Sequence, residues 1–368
     1  MFVYADESGH TGRYIFNAPS RYRVGALLSV QDIEERVRAV IEPSNIAAGR
    51  NRLHANELGP HAAAALAPSI LDALDAAGTW TFFFEEMEKD YIATTKFVDT
   101  IFDSGENQAV PAMWYNVRGF RHVLCLAMDE AMGDRHRRAF WSAYLDDDIE
   151  AIGEVVRKVG HFIRMRHPDR RLREIVRDAF DYVLRHPSDF TLSASRGRRA
   201  YQGHTPNIIG FIGIFDAIHE FVDRTGSRPI GFVHDQQSEF GPTMREWAEV
   251  FGRIRRHERR GIAEVDFADY DLPRLSLPSS ADVFGLQAVD LLLWIMTRND
   301  EVLQPVQTRL ESNVRTFGIT RETSAHMVYE FNMQNSRPLT ALEEAMARER
   351  RDAWEADRQT RIAERRRT

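Results

Sequence analysis

The stretch "FGLQAVDLLLWIM" (284–296) constrains the fold more than any other. Its apolar residues run around the whole circumference of a helix, so that helix must be buried on most sides. Asp290 sits in its middle, flanked by Ala288, Val289, Leu291, Leu292 and Leu293. An unpaired buried carboxylate is costly, so it needs a cation or strong hydrogen-bond donors. Gln287 lies one turn earlier on the same face. A salt-bridged core aspartate explains Asp290 as well as a functional one does, so other carboxylates have to decide.

Two more acids repeat the pattern. In "FVYADESGHTG" (2–12), Phe2, Val3 and Tyr4 open a strand, Asp6 and Glu7 end it, and Ser8, Gly9 and Gly12 turn the chain back. A solvated turn is the plain reading of Asp, Ser and Gly together. In "IGFVHDQQ" (230–237) a second apolar strand delivers Asp235 at its polar end. Ligands gather beyond the carboxyl ends of parallel strands in open α/β sheets. Strand alternation puts Glu7 on the opposite face from Asp6, as a supporting rather than a ligating residue. His54 and Glu57 in "LHANEL" share a helix face and add a fourth candidate acid, with a surface glutamate and a packing histidine as the alternative. Glu85 and Glu86, after the strand "TFFF", are weaker candidates for the same place. Three or four carboxylates without a matching cation suit a hard divalent ion, which takes oxygen ligands.

Composition bounds the rest. The chain has 368 residues, 43% hydrophobic and 28% charged, enough for a sizeable core of one large or two smaller domains. The single cysteine, Cys125, excludes an internal disulfide and a four-cysteine zinc site and fits a reducing compartment. No run reaches the roughly 18–20 apolar residues of a membrane span, and no signal-peptide pattern opens the chain. A cytoplasmic protein with no membrane partner is therefore expected. The net charge is −7, but arginines cluster at 133–140, 164–177 and 195–204. Acids interleave in 164–177, which favours a solvated face there. None interrupts 195–204, where Arg196, Arg198, Arg199 and Tyr201 are candidates for nucleic-acid contact through phosphate binding and base stacking.

Pattern reading predicts an α/β fold: strands at 2–6, 14–17 and 22–30 as a meander, a helix at 31–42, a helix at 53–78 and a strand at 79–89. A helix follows at 90–102, capped by Asp90. Residues 1–102 and 206–300 read as two parts of one core. Between them, 103–205 reads as a helical, arginine-rich insertion, and 301–368 as a helical extension. Within 206–300, helices are expected at 207–226, 242–258 and 281–300, and strands at 229–240 and 263–271.

Taken together, "YADESGHTG", "LHANEL", "FVHDQQSEF" and "LQAVDLLLW" resemble the domain-of-unknown-function family 3800, within the RNase H-like superfamily. These motifs spread over residues 2–296, leaving out the insertion and the tail. The resemblance implies an RNase H-like mixed sheet flanked by helices, and metal-dependent cleavage of phosphodiester bonds. It carries over to Asp6, Glu7, Asp235, Gln287 and Asp290, and more loosely to His54 and Glu57. The expected chemistry is hydrolysis of DNA or RNA with two Mg²⁺ or Mn²⁺ ions, Asp6 bridging them and Asp290 with Asp235 or Glu57 completing the shells. A binding module without turnover and a strand-transfer enzyme remain open, as does homo-oligomerisation.

Overall fold

A strand that starts at the second residue sets the architecture. The computed structural model describes all residues except 10, 11, 18, 191–199, 254–255, 261–262, 268–271, 339 and 366–368. β1 (Phe2–Ser8) pairs antiparallel with β2 (Arg21–Ser29), which puts Asp6 opposite Gly25. Helices α1 (Glu34–Ala47) and α2 (Ala55–Ala76) lead to β3 (Trp80–Glu88), antiparallel to β2. α3 (Lys89–Phe102) opens a run of helices: α4 (Ala112–Asn116), α5 (Arg118–Ala131), α6 (Asp134–Leu145), α7 (Ile149–Arg166) and α8 (Arg170–Arg185). α9 (Pro206–Thr225) returns the chain to β4 (Gly231–His234), followed by α10 (Gly241–Arg253). β5 (Arg256–Arg260) and β6 (Ala263–Phe267) form a separate two-stranded sheet. β7 (Leu275–Ser276), α11 (Phe284–Met296), α12 (Gln304–Glu311), β8 (Val314–Ile319), α13 (Arg321–Gln334) and α14 (Ala341–Arg365) complete the order.

The result is an α/β structure with a mixed six-stranded sheet, in the order β7-β4-β1-β2-β3-β8, flanked by helices. β1–β4, β4–β7 and β3–β8 are parallel, so β2 alone runs against the others. Strand alternation splits the interior into two cores. Tyr4, Leu27, Phe82 and Phe84 pack with α1, α2 and α11 on one face. Val3, Ala5, Val24, Phe83 and Met87 pack with α3, α9 and the 103–190 helices on the other.

Ten of the thirteen residues of α11 are buried, and each buried leucine contributes roughly 1.5–3 kcal/mol. The helix lies close on the sheet because two contacts lack a Cβ. A Cβ on Gly285 would fall 2.4 Å from the Tyr4 ring, and one on Gly25 2.9 Å from the Phe82 ring and 3.3 Å from Leu293.

Several expectations change. Residues 14–17 are not a strand but part of the β1–β2 connection, and β3 is the third strand of the antiparallel set. Only Ile15 of this short stretch is deeply buried, while Tyr14 is 72% exposed, so it has no face to offer a sheet. The range 301–368 is not helical throughout, because β8 adds to the sheet edge beside β3. The expected helix at 242–258 stops at Arg253, and β5 begins at Arg256. The expected strand at 263–271 is β6 as far as Phe267, outside the main sheet; its last residues lie outside the described ones. Within 103–205 the described residues form helices and 3-10 turns and no strand.

Asp90 is not the cap of α3; it lies in the first turn and belongs to an ionic clamp. Arg321 of α13 reaches Glu88 at 2.9 Å, Asp90 at 2.7 Å and Asp129 at 2.7 Å. Arg137 of α6 reaches Asp129 and Asp134, both at 2.9 Å. Burial pushes the Asp90 carboxyl up, but the hydrogen bond and charge of Arg321 with the charge of Arg137 hold it below its ordinary value. This clamp ties α5, α6 and α13 to the end of β3.

Candidate acidic site

β1 and β4 run side by side; Asp6 lies two residues before the end of β1, and Asp235 directly follows β4. The Asp235 N–H donates to the Ala5 carbonyl at 3.0 Å, continuing the parallel pairing of Ala5 with His234. That bond sets Asp235 beside Asp6 at the carboxyl ends of the two strands. Alternation places both side chains on the α11 face, and places Glu7 and His234 on the other. On that face, Glu7 Oε2 lies 3.3 Å from His234 Nε2.

Asp290 finds its donors in a neighbouring segment. Its Oδ2 accepts from the Ala55 N–H at 3.0 Å and lies 3.0 Å from His54 Nδ1, at the start of α2. Gln287, fully buried, is a three-way tie. Its Oε1 accepts from the Leu53 N–H at 2.7 Å and from Asn45 Nδ2 at 3.1 Å, and its Nε2 donates to the Ser280 carbonyl at 2.9 Å. The Ser280 N–H in turn donates to Asp235 Oδ1 at 2.8 Å. One side chain thus positions the segment that holds Asp290 and the segment that holds Asp235. Glu34 of α1 accepts from the N–H groups of Phe284 and Gly285 at 2.8 and 2.9 Å and caps α11.

The three aspartates share one arrangement. Asp6 commits Oδ1 to the Glu7 N–H at 2.8 Å, Asp235 commits Oδ1 to Ser280, and Asp290 commits Oδ2 to α2. The second oxygen of each has no hydrogen bond among the described residues. No Lys or Arg forms an ion pair with any of them there; the one basic partner is His54. Burial pushes the Asp6 carboxyl well above its ordinary value, and the negative charges of Glu7, Asp235 and Asp290 push it further.

Behind them, burial and the charge of Asp235 push Glu7 up to about 8. Burial pushes His234 down to about 4. His234 Nδ1 lies 3.0 Å from the Asp235 carbonyl, which only accepts, so the ring proton sits on Nδ1.

Of the other candidates, Glu85, Glu86 and Tyr201 lie elsewhere, whereas Glu57 follows two residues after Ala55 at the start of α2. Glu57 is exposed in the first turn of α2, without a hydrogen bond or ion pair for its side chain among the described residues, and it is not among the charges that raise Asp6. Glu86 is held by Arg21 and by Arg23, the latter at 2.5 Å. Glu85 faces α9 on the other side, where a Cβ on Gly213 would fall 2.4 Å from its Oε2. Arg196, Arg198 and Arg199 lie outside the described residues. The Tyr201 hydroxyl donates to Glu239 Oε1 at 2.8 Å. Among the described residues no three His, Cys, Asp or Glu side chains are grouped closely enough to hold a metal ion.

Sequence reasoning missed Asn45, Ser280, Glu34 and His234. His234 carries a signal of its own, a polar residue next to Asp235 in an apolar strand. The others act through contacts that no local pattern encodes. No described helix is long and apolar enough to cross a membrane. No family model, curated protein or solved structure matches the chain.

Proposed function

We propose that this chain is a divalent-metal-dependent nuclease that hydrolyses DNA or RNA, with an RNase H-like architecture. One observation carries the reading: three aspartates, each anchored through one oxygen, leave the other oxygen uncommitted among the described residues, with no arginine or lysine there paired to them. The clamp around Arg321 is the contrast within the same molecule, where every acid meets a guanidinium. The mixed sheet with one reversed strand, and the acids at the ends of β1 and β4, support the RNase H-like reading. The likeness to the domain-of-unknown-function family 3800 belongs to the same proposal.

The donor set is all oxygen, which suits Mg²⁺ or Mn²⁺. Asp6, Asp235 and Asp290 would hold the ions, and Glu57 is the available fourth acid. Bound there, the ions supply Lewis acidity toward a phosphate oxygen and lower the pKa of coordinated water. The protein's own part is positional. His54 and the Ala55 N–H hold Asp290, Ser280 holds Asp235, and the Glu7 N–H holds Asp6. Gln287 keeps the first two supports in register.

Calorimetric titration of Mg²⁺ and Mn²⁺ into the wild type, Asp6→Asn and Asp290→Asn, with cleavage assays on labelled DNA and RNA, tests the reading. Ion binding and ion-dependent cleavage by the wild type, both lost in folded variants, are expected. Nucleic-acid binding without ion binding or cleavage would leave a silent binding module.

A further inference from the structure

The β1–β2 connection leaves the sheet at the carboxyl end of β1, two residues after Asp6, and encloses a small cavity against α6. Arg13, Tyr14, Phe16, Asn17, Arg138 and Trp141 form most of its lining, and it measures about 170 Å³. That is below the roughly 300–1,000 Å³ of sites for drug-sized ligands and suits a single planar ring system. Trp141, 3% exposed, donates its indole N–H to the Arg13 carbonyl at 3.0 Å and so pins the loop to α6. Tyr14 is 72% exposed, a large aromatic held at the mouth with nothing covering it.

The two cations of the cavity differ. Arg13 is neutralised by Asp146. Arg138 lies 4.7 Å over the Phe16 ring and has no hydrogen bond or carboxylate partner among the described residues. A free guanidinium stacked on an aromatic ring, next to an exposed tyrosine, combines a phosphate contact with a π surface.

We propose that this cavity holds one base of a single-stranded nucleic acid, stacked on Tyr14, with Arg138 on the adjoining phosphate. The proposal rests on the nuclease reading of the acidic site and assigns a substrate form to it. The pocket lies against α6, on the face of the sheet opposite α11, and the segment that lines it follows the strand that carries Asp6. An unpaired strand is required because a base inside a duplex is stacked and unavailable to an aromatic side chain.

Fluorescence anisotropy with the full-length chain in EDTA tests the pocket without cleavage. The probes are labelled 12-nucleotide single strands, DNA and RNA, each beside a strand of equal length built from abasic units. The wild type is expected to bind the base-bearing strand at least about fivefold more tightly, the lower end for one stacked base. Tyr14→Ala should remove most of that preference while leaving affinity for the abasic strand unchanged. Arg138→Gln should weaken both strands and lower the salt dependence by about one phosphate contact.

Equal affinity of the wild type for both strands, or an undiminished preference in Tyr14→Ala, would overturn the pocket and leave the nuclease reading standing. No binding of any strand by the wild type would overturn the pocket and the nucleic-acid reading together.

Discussion

Two groups of carboxylates, both dependent on β-strand ends, have opposite electrostatics. Around Arg321 and Arg137, the acids Glu88, Asp90, Asp129 and Asp134 are matched by guanidinium groups, and Asp90 is held below its ordinary value. Among the described residues no arginine or lysine forms an ion pair with Asp6, Asp235 or Asp290, their anchors are backbone N–H groups and His54, and the Asp6 carboxyl is pushed up. Residue type is the same; the partner differs. The clamp is complete as folded and serves cohesion, whereas the acids around Asp6 lack a guanidinium partner among the described residues, and in the proposed nuclease an added cation would relieve their charge. On that proposal, the contrast is between a structural group of acids and a functional one.

The same substitution made in both groups should have opposite effects. Asp290→Asn keeps the shape, and is expected to cost more than about 100-fold in ion-dependent cleavage, above the range for residues that merely support a metal ligand. Its urea midpoint should stay at or above the wild-type value, because a repulsive charge is removed; unfolding at unchanged activity would make Asp290 structural. Gln287→Leu strands the Leu53 N–H, the Ser280 carbonyl and the Asn45 amide, at about 3–5 kcal/mol in denaturant melts. A loss below about 1 kcal/mol would mean that the two segments it ties are held by other means.

Asp129→Asn should lower stability by about 2–3 kcal/mol, since Arg321 and Arg137 lose their shared partner, with cleavage by the folded fraction unaltered. Reduced cleavage per folded molecule would couple the clamp to the site and break the contrast.

The smallest effect belongs to Glu85, a buried acid with neither a cation nor an anchor. Burial and the charge of Asp216 push it up to about 8 from an ordinary 4.5. Between those values the folded chain binds a proton that the unfolded chain has lost, so this group's contribution to stability falls as pH rises through that window and levels off above about 8. Glu85→Gln should flatten that part of the pH–stability curve; parallel curves for variant and wild type would show that Glu85 ionises freely in the fold.

What the sequence makes legible is what local physics encodes. A carboxylate among leucines, or at the end of an apolar strand, is costly wherever it lies, so Asp290, Asp235 and Asp6 stand out before any coordinates. Period-two alternation is equally local, and it separates Glu7 from Asp6. Gln287 is visible as a residue on the right face, but its work is not, because it bonds Asn45 242 residues away. β8 escapes notice because "NVRTFGIT" is half polar and lies at a sheet edge, where one side of the strand is never covered. Residues 14–17 mislead in the opposite sense: they have strand composition, but Tyr14 faces solvent and the carbonyl before it is taken by Trp141.

The distance along the chain between His54 and Asp290, 236 residues, has a consequence for the protein's synthesis. In a polypeptide emerging from a ribosome, Asp290 and its support can meet only after the residues between them have been made. Until then the proposed nuclease has no assembled site, in the one setting where a nascent enzyme is surrounded by messenger and ribosomal RNA. Long-range contacts of this kind form slowly, after their loops have closed. On the proposed function, the topology would act as a timing device, delaying the chemistry until translation has passed residue 290.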